Sequence, residues 1–299
     1  MRTASHAPSW KTNVAEREGL VVGVTGSSGY LGKAIVAHLR GVGLEVVEYG
    51  RRVDDGSNLG DVRYFDLSRA PDAESFRGVN CLIHAAWDLR ETDSFRAWER
   101  NVEGSKRLLM AAATAGIERF IFVSSMSAYF STKQDYGLMK LAIERAVLEA
   151  NQVVVRPGLV YGGEPGGMAR TLSKLSSLPV IPIFRGAKLF TLHIDDFVTA
   201  VTTLVEAENI PPAVIGLAHA TPTPFREIML AMAPKSGRPR VTLTIPWRPV
   251  LGLLQILERL NVPLPVRSDS LLGLVRPAAV VPGGDVANCL GLSFRSFAL

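Results

Sequence analysis

An α/β fold, built on a doubly wound parallel sheet with a smaller C-terminal substrate-binding domain, is the architecture this 299-residue sequence predicts. Three observations predict it. Short strand-like runs alternate with helix-like stretches through the first half, as in successive βαβ units. The runs LIHAA and IFVSS are apolar along their length, as in strands covered on both faces. A glycine triplet stands between the first run and the first helical stretch.

In order, strands are predicted at 20–24, 44–49, 81–85, 120–124 and 153–156, and helical stretches near 30–40, 95–115 and 136–150. After Gly162 the texture changes, with Gly163, Pro165, Gly166 and Gly167 in quick succession before a helix-like segment at 168–178. Residues 189–206 read as a return to the main domain, with a strand into His193 and a helix after Asp196. Two further helices are predicted at 225–232 and 249–260; the second has an apolar face, read as packing on the smaller domain in preference to touching lipid. The division that follows is a flexible leader at 1–18, a main domain of 19–162 and 189–221, and a smaller domain of 163–188 and 222–299.

The chain is 47% apolar, which supplies a well-filled core, and its excess of five positive charges is modest. No run of Lys and Arg interleaved with aromatics marks a nucleic-acid surface. A mildly basic enzyme suits anionic small molecules. Cys81 and Cys289 stand alone, without disulfide or metal spacing, which fits a reducing cytoplasm. The first 18 residues lack the apolar region of a signal peptide, and no stretch reaches the length of a membrane span.

Three local patterns carry chemistry. In VVGVTGSSGYLG, the β-rich run ends at Gly26, Gly29 and Gly32 and a helix follows. Glycines so spaced permit a tight turn, close approach to a pyrophosphate and close helix–strand packing, with phosphates at the helix N-terminus. At the end of the second strand, where NAD-preferring folds carry an acid, Gly50 is followed by Arg51 and Arg52. Guanidinium groups pair with phosphate, so NADP is favoured over NAD; the alternative has Arg51 stacking on adenine and Arg52 facing water. Tyr136 and Lys140 lie at i and i+4 on one helix face behind a strand that ends in Ser124 and Ser125. A phenol with an ordinary pKa of about 10 becomes a usable acid–base when a nearby ammonium favours its anion.

Together TGSSGYLG, Asp66-Leu67, HAA ending at Ala86, Asn101 in NVEGS, FVSS, YGLMK, RPGLVYG and HIDD resemble the extended short-chain dehydrogenase/reductase family. That branch includes nucleotide-sugar epimerases, dehydratases and ketoreductases. The resemblance runs from about 20 to 289 and implies a Rossmann domain with a dinucleotide held by Gly26, Ser28, Gly29, Tyr30, Leu31, Gly32, Arg51, Arg52, Asp66, Leu67, Ala85, Ala86, Ser124, Tyr136, Lys140 and Pro157. It further implies that Tyr136 moves the proton, Ser125 polarises the substrate oxygen, Lys140 holds the nicotinamide ribose, and Asn101 completes the proton relay. Trp87, Ser127, Gly158, Met168 and either Arg267 or Arg276 are the expected substrate contacts. No metal is implied: the segment of His193, Asp195 and Asp196 organises the seam between domains, and His84 reads as a satisfied core imidazole. A homodimer through the helices near 95–115 and 136–150 is the implied assembly.

Three departures narrow the reading. Only six residues separate Tyr129 from Tyr136, where nucleotide-sugar members carry a longer loop. Leu189, with Lys188 beside it, occupies the place of the arginine that grips a diphosphate. Met126 and Ser127 follow Ser125, so the acid pair of a 4,6-dehydratase is missing. The function read from the sequence is therefore an NADP(H)-dependent 4-ketoreductase or 4-epimerase of a nucleotide sugar. The alternatives are reduction of a non-nucleotide ketone or aldehyde, and a non-catalytic dinucleotide-binding protein; retention of Tyr136 and Lys140 argues against the last.

Overall fold

A computed structural model describes residues 19–52, 61–91, 93–234, 241–260, 262 and 266–299; the leader drawn at 1–18 lies outside the described residues. The strands are β1 (Val21–Thr25), β2 (Glu45–Gly50), β3 (Val62–Tyr64), β4 (Cys81–His84), β5 (Arg119–Val123), β6 (Val153–Pro157), β7 (Leu159–Tyr161), β8 (Val180–Phe184), β9 (Lys188–Leu189), β10 (Thr191–His193), β11 (Val214–Leu217), β12 (Thr223–Pro224) and β13 (Val241–Ile245). The helices are α1 (Tyr30–Gly41), α2 (Ser94–Trp98), α3 (Gly104–Thr114), α4 (Asp135–Glu149), α5 (Gly167–Ser176), α6 (Ile194–Glu206), α7 (Phe225–Ala231), α8 (Trp247–Arg259), α9 (Ser268–Val275) and α10 (Gly284–Cys289). One π turn, Glu99–Glu103, joins α2 to α3.

The main sheet has seven strands in the order β11-β6-β5-β4-β1-β2-β3, and every pairing in it is parallel. Successive residues of a strand point to opposite faces. Ile121 and Val123 accordingly join a core with Ile35 and Leu39 of α1 and Phe197, Val201 and Leu204 of α6. Phe120 and Phe122 join the other, with Leu108 and Leu109 of α3 and Ile143 and Val147 of α4. The sheet thus has helices on both faces, and its central strands β4 and β5 are almost wholly buried.

The segment 189–206 forms a strand into His193 and then α6, and Leu192 and Phe197 pack in the main-sheet core. The strand into His193 is β10, which pairs with β7 in a separate two-stranded ribbon, while β11 supplies the added edge of the main sheet. A third core lies apart, formed by Leu172 of α5, Ile181 and Ile183 of β8, Phe225 and Ile228 of α7, and Leu271 and Leu274 of α9. The last part of the chain is shared between two cores: Val286, Ala287, Leu290 and Phe294 pack with the main sheet and Phe297 with the third core, although the sequence reading placed all of 222–299 in the smaller domain. Arg295 fixes this tail through its pairing with Asp196 at the start of α6 (2.6 Å).

Candidate active site

β1 hands the chain to α1 through Gly26, whose φ of +70° is the left-handed region that suits glycine. A Cβ there would stand 2.7 Å from the Ala86 backbone at the end of β4, and one on Gly32 would stand 2.1 Å from the Gly26 carbonyl oxygen. The first glycine lets the turn close against Ala85 and Ala86, and the last lets α1 approach the turn. Such a cradle, at the start of a helix whose first N–H groups lack intrahelical partners, fits a pyrophosphate.

The cradle forms part of the wall of a cavity of about 970 Å³. At one end stand Gly50, Arg51, Asp66 and Leu67; at the other, Tyr136, Lys140, Met168, Arg267 and Asp269. Burial pushes the Asp66 carboxyl up, but hydrogen bonds from the Ser68 N–H (2.8 Å) and hydroxyl (2.7 Å), with the charges of Arg51 and Arg100, hold it below the usual carboxylate range.

Ser125, Tyr136 and Lys140 meet on the cavity wall because β5 ends beside the first turns of α4. Burial pushes the Tyr136 phenol up to about 12; its hydrogen bond with Ser125 acts the other way, and the charge of Asp269 adds to the rise. The Lys140 ammonium donates to the Val123 carbonyl (2.9 Å) and sits 3.9 Å from the centre of the Trp87 ring. Burial lowers its pKa to about 7, partly opposed by Glu144 one turn along α4. Trp87 also packs edge-on against Tyr136, with ring centroids 5.1 Å apart. The expected lowering of the tyrosine by the lysine is therefore corrected: desolvation dominates Tyr136, and the indole contacts both groups.

Behind this wall, Glu144 accepts hydrogen bonds from the Ser124 hydroxyl and from Arg156 (2.9 and 2.5 Å). His84 is a satisfied core imidazole, bonded to Thr25 (2.7 Å) and Ser105 (2.8 Å), with burial lowering it to about 3. His193 caps α6 by accepting from the Asp195 N–H. Among the described residues, no three His, Cys, Asp or Glu side chains gather into a metal-binding group.

Of the residues singled out from sequence, Ser28, Gly29, Tyr30, Leu31, Ser124, Ser127, Pro157 and Gly158 line the cavity together with those just named. Three residues behave differently. Arg52 is exposed and does not belong to the cavity wall. The Arg276 guanidinium lies over the Trp247 ring (5.2 Å), away from that wall. Asn101 lines the cavity, but its amide accepts from the Asp88 N–H (2.8 Å) and donates to the Asp88 carbonyl (3.1 Å). It holds the backbone after Trp87.

The NAD dependent epimerase/dehydratase family matches residues 22–216, from β1 into β11. The chain belongs to this family. An uncharacterized protein of Mycobacterium tuberculosis is 28% identical over 228 residues, covering 75% of this chain and 24% of that protein. The chain thus spans about a quarter of the length of that relative. The dTDP-6-deoxy-L-talose 4-dehydrogenase (NAD(P)(+)) of Kitasatospora kifunensis is 26% identical over 271 residues, covering 75% of this chain and 82% of that one. Among solved structures, MoeE5 in complex with UDP-glucuronic acid and NAD superposes with a TM-score of 0.70 at 21% identity, covering 93% and 95% of the two chains, which shows a shared fold.

For this epimerase/dehydratase-family chain, the sequence reading missed Asp269 and Arg100. Asp269, on α9, lines the cavity and accepts from the Asp135 N–H (2.9 Å). Its only local signal is the Ser-Asp-Ser that opens α9, which reads as a cap of its own helix. Asp88 and Arg100 pair beside Asn101, and both line the cavity.

Proposed function

We propose that this chain is an NADP(H)-dependent oxidoreductase acting on a carbonyl or secondary-alcohol carbon. The observation that carries the reading is the meeting of Tyr136, Ser125 and Lys140 on the wall of a cavity that also contains the glycine cradle. A bound pyridine dinucleotide supplies or takes up the hydride. The Tyr136 phenol, protonated at neutral pH because burial holds it at about 12, gives its proton to the oxygen of a carbonyl under reduction and takes one back in oxidation. Ser125, hydrogen-bonded to that phenol, orients the same oxygen. Lys140 anchors the end of β5 and the Trp87 ring and offers a cation to the ribose, while Asn101 holds the backbone of Asp88. Arg51, at the Asp66 end of the cavity, supports the preference for a 2′-phosphate.

For the substrate, the first reading is a nucleotide sugar, reduced at a 4-keto group or epimerised at C4. It draws on Arg267 at the cavity wall, on the name of the Kitasatospora relative and on the ligands of MoeE5. A second reading, reduction of a less polar ketone or aldehyde, is favoured by a specific observation: Leu189, Phe190, Met168, Leu274, Pro277 and Ala278 give that end of the cavity an apolar wall, and Arg276 is drawn onto Trp247. A thermal-shift screen of nucleotide sugars with NADP+ present separates the two. The first reading expects a stabilising sugar nucleotide whose affinity falls roughly ten- to a hundredfold in Arg267→Ala, as for loss of a charge-assisted contact. Absence of any shift, with NADPH consumed on simple ketones, selects the second.

The proposed assembly is a homodimer through α3 and α4, whose Met110 and Leu138 stand exposed. Light scattering is expected to return the mass of two chains, and the mass of one would contradict it.

A further inference from the structure

α8 is apolar on two faces. Trp247, Val250, Leu251 and Leu254 pack against the core of the smaller domain. At 3.6 residues per turn, Pro249, Leu253, Ile256 and Leu260 fall on the opposite face, and there Leu253, Ile256 and Leu260 are 57%, 56% and 68% exposed. β13, which precedes α8, repeats the pattern. Val241 pairs with Val180 and Leu243 with Pro182, so these four share one face of the ribbon. Val180, Val241 and Leu243 are exposed on it, while Ile181 and Ile183 on the other face are buried in the core. Two consecutive elements therefore turn branched apolar side chains outward, an arrangement that marks a binding surface.

The stretch of sequence that carries β13 and α8 is one-sided in charge. Residues 235–267 hold six Lys and Arg against one Glu, so this segment alone accounts for the whole chain's excess of five. That Glu, Glu258, is turned toward α9, accepting from the Ser268 N–H (2.7 Å) and its hydroxyl (2.6 Å). Arg248, whose guanidinium also lies 5.6 Å from the Trp247 ring, and Arg259, eleven residues on, lie along one flank of the outward stripe of α8. An apolar stripe with cations along its flank has the chemistry of a helix lying in the headgroup region of an anionic bilayer. A second copy suits the face poorly, because apposed stripes bring four arginines together while each Glu258 is turned toward α9. Nor is α8 a span: no helix among the described residues is long and apolar enough to cross a membrane.

We propose that α8 and the β8–β13 ribbon dock the protein peripherally on an anionic lipid surface. Leu253, Ile256 and Leu260 enter the boundary with the acyl chains, and Arg248 and Arg259 meet the headgroup phosphates. The bond between Glu258 and Ser268 ties this surface to α9, whose Asp269, Ser270, Gly273 and Leu274 line the cavity. The docked membrane is then one helix away from the site. This inference stands apart from the proposed reaction, since Leu253, Ile256, Leu260, Arg248 and Arg259 have no part in it.

The test is vesicle flotation of the full chain, with vesicles of phosphatidylcholine alone and of an equal mixture with phosphatidylglycerol. The wild type is expected to float with the mixed vesicles at low salt, less so at high salt, and to stay behind with phosphatidylcholine. The double variant Leu253→Glu, Ile256→Glu is expected to lose roughly tenfold or more in vesicle affinity while its thermal unfolding and NADP+ binding stay unchanged. Arg248→Gln with Arg259→Gln is expected to weaken binding and flatten its salt dependence. The proposal is overturned if the wild type ignores the anionic vesicles, or if the double variant floats as well as the wild type. A drop in the solution mass of the Leu253→Glu, Ile256→Glu variant would assign the face to a second copy and overturn it equally.

Discussion

The Asp269 carboxylate, carried by α9, accepts the backbone N–H of Tyr136 at 3.4 Å and that of Asp135 at 2.9 Å. The first N–H groups of a helix have no partners within it, and Gln134, at the N-cap of α4, contributes no side-chain bond. An acid from a different core thus caps the helix that presents the proposed acid–base. Removing it is expected to loosen Tyr136 as well as α4. Asp269→Ala should cost about 1 kcal/mol of stability, read from the denaturation midpoint. Asp269→Asn should keep much of that stability. Because the Asp269 charge raises the phenol, the Asn variant should also bring the Tyr136 titration lower, measured by ultraviolet difference absorbance.

Lys140 gives a pH-dependent prediction. Its pKa falls from 10.5 to about 7 on burial, so between those values the folded chain binds fewer protons than the unfolded one. The burial penalty is therefore full below about pH 7 and is relieved as the pH rises toward 10.5. Lys140→Met should melt a few degrees higher than the wild type at about pH 6, with the gap closing at alkaline pH. Calorimetry across that range checks it. The same variant should be nearly inactive, so the lysine is retained at the expense of stability.

Cofactor choice tests the two arginines separately. Arg51 borders the cavity and Arg52 does not, so Arg51→Ala alone should weaken NADP+ binding, by roughly ten- to a hundredfold, while NAD+ binding changes little. Arg52→Ala should leave both affinities as they were. Titration calorimetry with each cofactor reads the difference, and equal wild-type affinities would remove the basis for an NADP preference.

What the sequence made legible was local. The glycine triplet and the Tyr136–Lys140 pair are short-range patterns whose spacing dictates a turn or a helix face, and both lie on the cavity wall. The alternating apolar runs announced the strands because burial on both faces leaves a continuous apolar signature. What stayed hidden is set by packing across long separations. Asp269 is 133 residues from Tyr136 and reads as an ordinary helix start. The Trp87 ring beneath the Lys140 ammonium, and the indole that draws Arg276 off the cavity, depend on how loops settle against helices. β10 reads as a strand in sequence, but that it pairs with β7 and not with the main sheet is set by packing.

Proton transfer by Tyr136 coupled to hydride transfer is the central claim, and deuterium transfer tests it most directly. With NADPH deuterated at nicotinamide C4 and a carbonyl substrate drawn from the screen, the wild type should place one deuterium on the product carbon. Tyr136→Phe, which loses only the phenolic oxygen, should bind NADPH as before and transfer less than about a hundredth as much, in line with the usual contribution of a positioned acid. Deuterium appearing in the product of the Phe variant at the wild-type rate would contradict the account.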